Sequence, residues 1–182
     1  MKISKTELSG VLIIEPSVFP DGRGFFYESF HTNRYVEKGI PSQFVQENFS
    51  HSIKNVIRGL HYQLERPQGK LIVVSTGCIL DVIVDIRRNS PTFGKSITIE
   101  LSSEIPRQVY IPPGFAHGFC VLSENANVMY KCSDYYHPAS ERGIFWNDPS
   151  LNIAWPTKKP ILSPKDAIYP LLKDISYDQL PQ

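Results

Sequence analysis

Apolar and β-branched residues come in short runs along this chain, cut at close intervals by Gly, Pro, Asn and Asp, from the N-terminus to about residue 145. Period-two alternation recurs, and few segments carry the period of an amphipathic helix. The pattern predicts strands over residues 11–14, 24–30, 44–49, 56–63, 71–76, 79–86, 96–101, 108–111, 117–122 and 128–136. Short helices are expected over 32–38 and 164–172, the second limited by Pro170. So many strands in one chain must protect their edges, and a closed barrel or jelly roll does so while leaving room for a ligand. The expected fold class is all-β, one domain over residues 1–182 with a few short peripheral helices and a short C-terminal tail.

Alternation also assigns faces. In the run from Val128 to Tyr136, the residues Val128, Tyr130, Cys132, Asp134 and Tyr136 share one side of a regular strand. In Asp81-Val-Ile-Val-Asp85 the two aspartates share a side with Ile83, which makes either a polar pocket wall or a solvated outer face. Arg58 and His61 have opposite parity, so a plain strand would send them to opposite faces; Gly59 between them could mark a bulge that re-aims one.

Composition narrows the function classes. Lys and Arg exceed Asp and Glu by one, so no global field draws the chain to nucleic acid or an anionic membrane, and any phosphate must be held by a local cluster. Three cysteines, Cys78, Cys120 and Cys132, lack CxxC spacing and read as small buried hydrophobes of a reducing compartment. Val11 to Ile14 is too short for a signal-peptide core or a membrane span, which points to the cytoplasm.

Two stretches concentrate chemistry. Asn55 to Lys70 carries Arg58, His61 and Lys70, and Ile111-Pro-Pro-Gly-Phe-Ala-His117-Gly-Phe119 brings a second histidine behind a Pro-Gly turn. The latter resembles the second sequence box of the cupin superfamily. In metal-binding cupins the first box holds two histidines one residue apart and a glutamate a few residues on, whereas here it reads His61-Tyr62-Gln63, with Gln63 in place of the second histidine. Metal sites need three or four clustered ligands, so a metal-free, cofactor-free cupin-type barrel is favoured over a metalloenzyme.

Further motifs sharpen the resemblance: Arg58-Gly-Leu-His61-Tyr-Gln, Gly69-Lys70-Leu, Asp81-Val-Ile-Val-Asp85-Ile-Arg87, Ser90-Pro-Thr-Phe-Gly94, Tyr130-Lys131, Trp146-Asn-Asp-Pro149 and Ile153-Ala-Trp-Pro156. Together, and in this order from Asp21-Gly-Arg-Gly-Phe-Phe26 to Leu162-Ser-Pro-Lys-Asp166, they resemble the dTDP-4-dehydrorhamnose 3,5-epimerase family. The resemblance implies an isomerase acting on a dTDP-sugar, with His61 as base, Asp166 as its orienting carboxylate, Tyr130 as acid and Lys70 opposite the developing negative charge. It implies substrate contacts at Arg23, Phe26, Glu28, Gln46, Asn48, Arg58, His117, Tyr136, Glu141 and Lys165. It also implies a homodimer in which the N-terminal segment crosses to the partner. Open beside it stand a sister enzyme that inverts a single carbon of a related 4-keto-6-deoxy sugar nucleotide, and a non-catalytic cupin that only binds one. The joint presence of acid and base argues against mere binding.

Overall fold

A computed structural model describes every residue except Ser42. The strands are β1 (Lys2–Lys5), β2 (Leu12–Glu15), β3 (Val18–Asp21), β4 (Gly24–Tyr27), β5 (Gln46–Ile53), β6 (Ile57–Gln63), β7 (Lys70–Thr76), β8 (Cys78–Asp85), β9 (Ser96–Ser102), β10 (Gln108–Ile111), β11 (Phe115–Val121), β12 (Asn125–Cys132) and β13 (Glu141–Gly143), with one short α-helix, α1 (Thr32–Val36), and four 3-10 turns among the described residues. They form a six-stranded sheet ordered β1-β2-β10-β7-β12-β5 and a five-stranded sheet ordered β13-β6-β11-β8-β9, while β3 and β4 pair as a separate hairpin. Every named pairing is antiparallel, and two facing sheets of this kind are the jelly roll that the alternation predicts.

The facing sides of the sheets divide into two regions. Ile72 and Val74 of β7, Val109 of β10 and Val128 of β12 pack with Ile79 and Ile83 of β8, Leu101 of β9 and Phe115 and Val121 of β11 in a dry aliphatic core. Toward the β5 margin the inward positions turn polar: Gln46, Asn48, Ser50 and Ser52 alternate with the outward Glu47, Phe49, His51 and Ile53. The sheets therefore adhere along one side and leave a cavity along the other. Leu60, Tyr62, Val82, Val84 and Ile144 cover the outer face of the smaller sheet together with Leu172 and Leu180 of the C-terminal segment. Tyr35 of α1 packs with Ile14, Leu71 and Tyr110 on the outer face of the larger one.

Several expectations are corrected. β12 ends at Cys132, so Asp134 and Tyr136 lie in the following loop. Residues 164–172 form no helix; isolated turn hydrogen bonds, Ala167 N–H to Ser163 O and Ile168 N–H to Lys165 O, are followed by a 3-10 turn over Leu172–Asp174. Pro170 lies where an interior helix donor would be needed and supplies none. Asp81 and Asp85 lie on no solvated face, being wholly buried. Of the cysteines, all free, Cys120 and Cys132 are buried as expected but Cys78 is only half-buried.

Candidate active site

The parity conflict between Arg58 and His61 is resolved by a bulge. His117 of β11 pairs with His61, but Phe119, two residues on, pairs with Arg58, three residues back, so β6 carries one extra residue. Phe119 faces the interior, and its partner Arg58 therefore shares the inner face with His61. Glycine makes this possible. A Cβ on Gly59 would stand 2.5 Å from Gly118 Cα and 2.9 Å from His117 O, and the Gly59 φ of +127° is one that side-chain-bearing residues avoid.

The inner faces of β5, β6, β11 and β12 and the segment 161–166 enclose a cavity of about 840 Å³, ample for a nucleotide-sized ligand. On the smaller sheet, His61 Nε2 lies 2.6 Å from Asp166 Oδ1. The carboxylate accepts the Nε2–H, which leaves Nδ1 as the lone-pair nitrogen of the neutral ring. Burial pushes the Asp166 carboxyl up, but the hydrogen bond and charge of His61, the Gly59 N–H and the Ser163 hydroxyl outweigh it and hold the pKa below the usual range. Asp166 is thus kept as an anion beside the imidazole.

Across the cavity, the larger sheet presents Tyr130 from β12 and Lys70 from the start of β7. Burial raises the Tyr130 phenol, aided by Cys132 and Glu141 and opposed by Arg58 and Asn48, so the hydroxyl keeps its proton. Burial lowers the Lys70 ammonium, and Cys132, Asp81 and Glu141 work the other way.

A second histidine–carboxylate pair lies directly beside the first. His117, the cross-strand neighbour of His61, has Nε2 2.7 Å from Asp81 Oδ1, and both residues are buried. The other Asp81 oxygen, Oδ2, is buried without a hydrogen-bond partner among the described residues. Sequence reasoning marked Asp81 only as one of two aspartates on a face; its pairing with His117 follows from β8 and β11 being neighbours, which no local pattern reports.

At the mouth, Tyr136 donates its hydroxyl to Glu141 Oε2 at 2.9 Å, and Lys165 Nζ bonds both Glu141 oxygens at 2.7 and 2.8 Å. Burial raises the Glu141 carboxyl, but Lys165 and Tyr136 together bring it below its ordinary value. Arg58 is braced by Ser52 Oγ at 3.0 Å. Gln46 donates to Asn48 Oδ1 at 3.0 Å and accepts the Tyr136 N–H at 2.8 Å, which ties the strand margin to the loop.

The predicted residues Arg58, His61, Lys70, His117, Tyr130, Gln46, Asn48, Tyr136, Glu141, Lys165 and Asp166 are all brought to this one cavity. Arg23, Phe26 and Glu28 are not among its walls. They belong to β4 and its flanks, where Arg23 pairs with Asp21, Glu28 with Arg34, and Phe26 is 70% exposed. Gln63, at the position of a cupin metal ligand, spends its amide on the Arg66 and Tyr135 carbonyls and the His137 N–H. Among the described residues no three His, Cys, Asp or Glu side chains gather as a metal-ligand set.

Comparison with known proteins agrees with the geometry. The sequence profile described as dTDP-4-dehydrorhamnose 3,5-epimerase matches residues 5–174. A dTDP-4-dehydrorhamnose 3,5-epimerase of Shigella flexneri is 54% identical over 168 residues, covering 91% of this chain and 93% of that protein. A crystal structure of dTDP-6-deoxy-D-glucose-3,5-epimerase from Legionella pneumophila, in complex with dTDP-4-keto-L-rhamnose, superposes with a TM-score of 0.96 at 53% identity, covering 100% of this chain and 97% of the other. That of dTDP-4-dehydrorhamnose 3,5-epimerase from Elizabethkingia anophelis gives 0.92 at 46% identity, with 97% and 99% covered. A jelly roll with a histidine–aspartate pair on one wall and a tyrosine and lysine on the other, matched along nearly its whole length, belongs to the dTDP-4-dehydrorhamnose 3,5-epimerase family.

Proposed function

We propose that the cavity carries out the family's reaction with His61 as base, Tyr130 as acid and Lys70 as the charge stabiliser. The reaction epimerises C3 and C5 of dTDP-4-dehydro-6-deoxy-D-glucose to dTDP-4-dehydro-L-rhamnose, in dTDP-L-rhamnose biosynthesis. Both carbons flank the C4 ketone. Removal of either C–H proton moves the bonding pair into a C=C–O⁻ enolate, and return of a proton to the opposite face inverts the centre.

His61 takes the proton on Nδ1, and Asp166 stabilises the imidazolium that results. The C4 oxygen gains charge toward the Lys70 ammonium, in surroundings where burial has already removed much of its water. Tyr130 then gives its proton to the enolate carbon, and exchange with solvent resets both groups, the imidazolium losing a proton and the phenolate gaining one, before the second carbon reacts. The observation that carries this reading is the placement of base and acid on facing sheets, because inversion needs the two on opposite sides of the sugar.

Arg58 and Lys165 supply cationic donors for the diphosphate, and Tyr136 an aromatic face for thymine, with Gln46, Asn48, His117 and Glu141 fixing the sugar and ribose. The hairpin of β3 and β4, with Phe19, Phe25 and Phe26 each more than half exposed, crosses to a second copy, so that Arg23, Phe26 and Glu28 complete the partner's cavity in a homodimer. The enzyme works in the cytoplasm as one domain without metal or cofactor. No helix among the described residues is long and apolar enough to cross a membrane.

The test is incubation of metal-stripped protein with the 4-keto substrate in D₂O, following C3 and C5 by NMR. Deuterium at both carbons with the L-lyxo product is expected. Label at one carbon alone would replace this reading with a single-centre epimerase. No label, with nucleotide still bound, would leave a binding protein.

A further inference from the structure

We propose that Tyr169 is a positioning residue for the His61–Asp166 pair. The inference rests on the reading of His61 as the base. A single hydrogen bond from Nε2 to Asp166 leaves the imidazole free to swing about that bond, and proton abstraction from carbon needs Nδ1 held in a fixed direction. Tyr169 supplies the missing constraint: its ring meets the His61 ring edge to face, with centroids 5.7 Å apart and planes at 69°.

The sequence makes room for this ring at one point. Gly143 is the cross-strand partner of His61 on β13, so its absent side chain lies directly beside the imidazole. The Tyr169 ring fills that space, and a Cβ on Gly143 would overlap it. Tyr169 also comes from the same turn as Asp166, three residues on, and the next residue, Pro170, accepts the Phe145 N–H at 2.8 Å, which ties this turn to the chain just beyond β13. Carboxylate and ring are thereby fixed to one short segment and grip the imidazole from two directions. The phenol is pushed up to about 12, chiefly by burial, and its hydroxyl is near Lys165. It remains neutral and serves as a wall.

The experiment compares Tyr169→Leu, Tyr169→Phe, Gly143→Ala and His61→Asn in the intact protein, measuring kcat, KM and deuterium uptake at C3 and C5. Tyr169→Leu is expected to lower kcat by about 10–100-fold with KM within about twofold, on the scale of a small misplacement of a catalytic group. Tyr169→Phe should restore kcat to within about threefold, since the ring acts and the hydroxyl does not. Gly143→Ala, which keeps the ring but displaces it, should reproduce the Leu result and decides the matter if the Leu variant does not fold. A Leu variant with normal kcat, or a Phe variant as slow as Leu, overturns the proposal while loss of exchange in His61→Asn leaves the base intact. Normal exchange in His61→Asn would remove both.

Discussion

Replacing Lys70 by Met removes the ammonium and keeps the length of the stem, so the Lys70→Met variant isolates the charge. A unit charge about 3 Å from a full oxyanion at an effective dielectric of about 20 gives roughly 5 kcal/mol. The enolate-forming transition state carries only part of that charge, which brings the expected loss to about 3–4 kcal/mol, the range found for removal of one oxyanion donor. That corresponds to a fall in kcat of about 10²–10³-fold. Stability should move the other way or not at all. Burial lowers the Lys70 pKa, which means that folding holds this cation at a cost, and Met relieves it. Initial rates of deuterium uptake at C5, measured with melting temperature and dTDP affinity on the same preparation, test both halves. A variant that turns over within about fivefold of the parent would take Lys70 out of the mechanism. A variant that also melts much lower would mean that the ammonium is a structural partner in the fold.

Asp81 helps hold the Lys70 pKa up against burial, so Asp81→Asn should lower it further and move the alkaline limb of kcat/KM to lower pH; an unmoved or alkaline-shifted limb would contradict this. Asp85 is pushed up by burial but brought down from 3.8 to about 2 by Arg87, Ser90 and Thr92. Its depressed folded-state value contributes about 2 kcal/mol that is fully present above the unfolded value of 3.8 and is lost as pH falls toward 2, and Asp85→Asn should flatten acid unfolding curves in that window. If the hairpin completes a partner's cavity as proposed, dilution should abolish activity in parallel with dissociation followed by sedimentation, and a fully active monomer would show that Arg23, Phe26 and Glu28 take no part in a shared site.

Most of the sheet was legible because regular central strands alternate their faces, as in β8, where Ile79, Asp81 and Ile83 face inward and Val82 and Val84 outward. The strands that pattern reading overlooks are those with little to bury. β1 and β3 are largely exposed, β3 carries Pro20, and β13 is only Glu141–Gly143. Residues 164–172 are expected as a helix limited by Pro170, but Pro170 and the turn that aims Asp166 at His61 leave only isolated turns there. The inward turn of Arg58 needed the pairing with Phe119, and the contact of Tyr169 with His61 runs through the space above Gly143. Both are facts of tertiary neighbourhood. The assignment of Arg23, Phe26 and Glu28 to a site rests on family resemblance alone, because nothing in one chain brings them to the cavity.

The aliphatic half of the sandwich and its polar margin also differ in what they tolerate. Shortening Ile72, Val74 or Val128 would open a cavity in close-packed interior at about 1–4 kcal/mol per site, whereas Gln46, Asn48 and Ser50 line the open cavity and stand to lose mainly hydrogen bonds, chiefly those of Gln46 with Asn48 and the Tyr136 N–H. A combinatorial library spread over those three β5 positions should therefore retain far more folded members than one of equal size in the core. The cavity margin is the part of this scaffold most open to redesign, and substitutions there should come without a matching loss of thermal resistance.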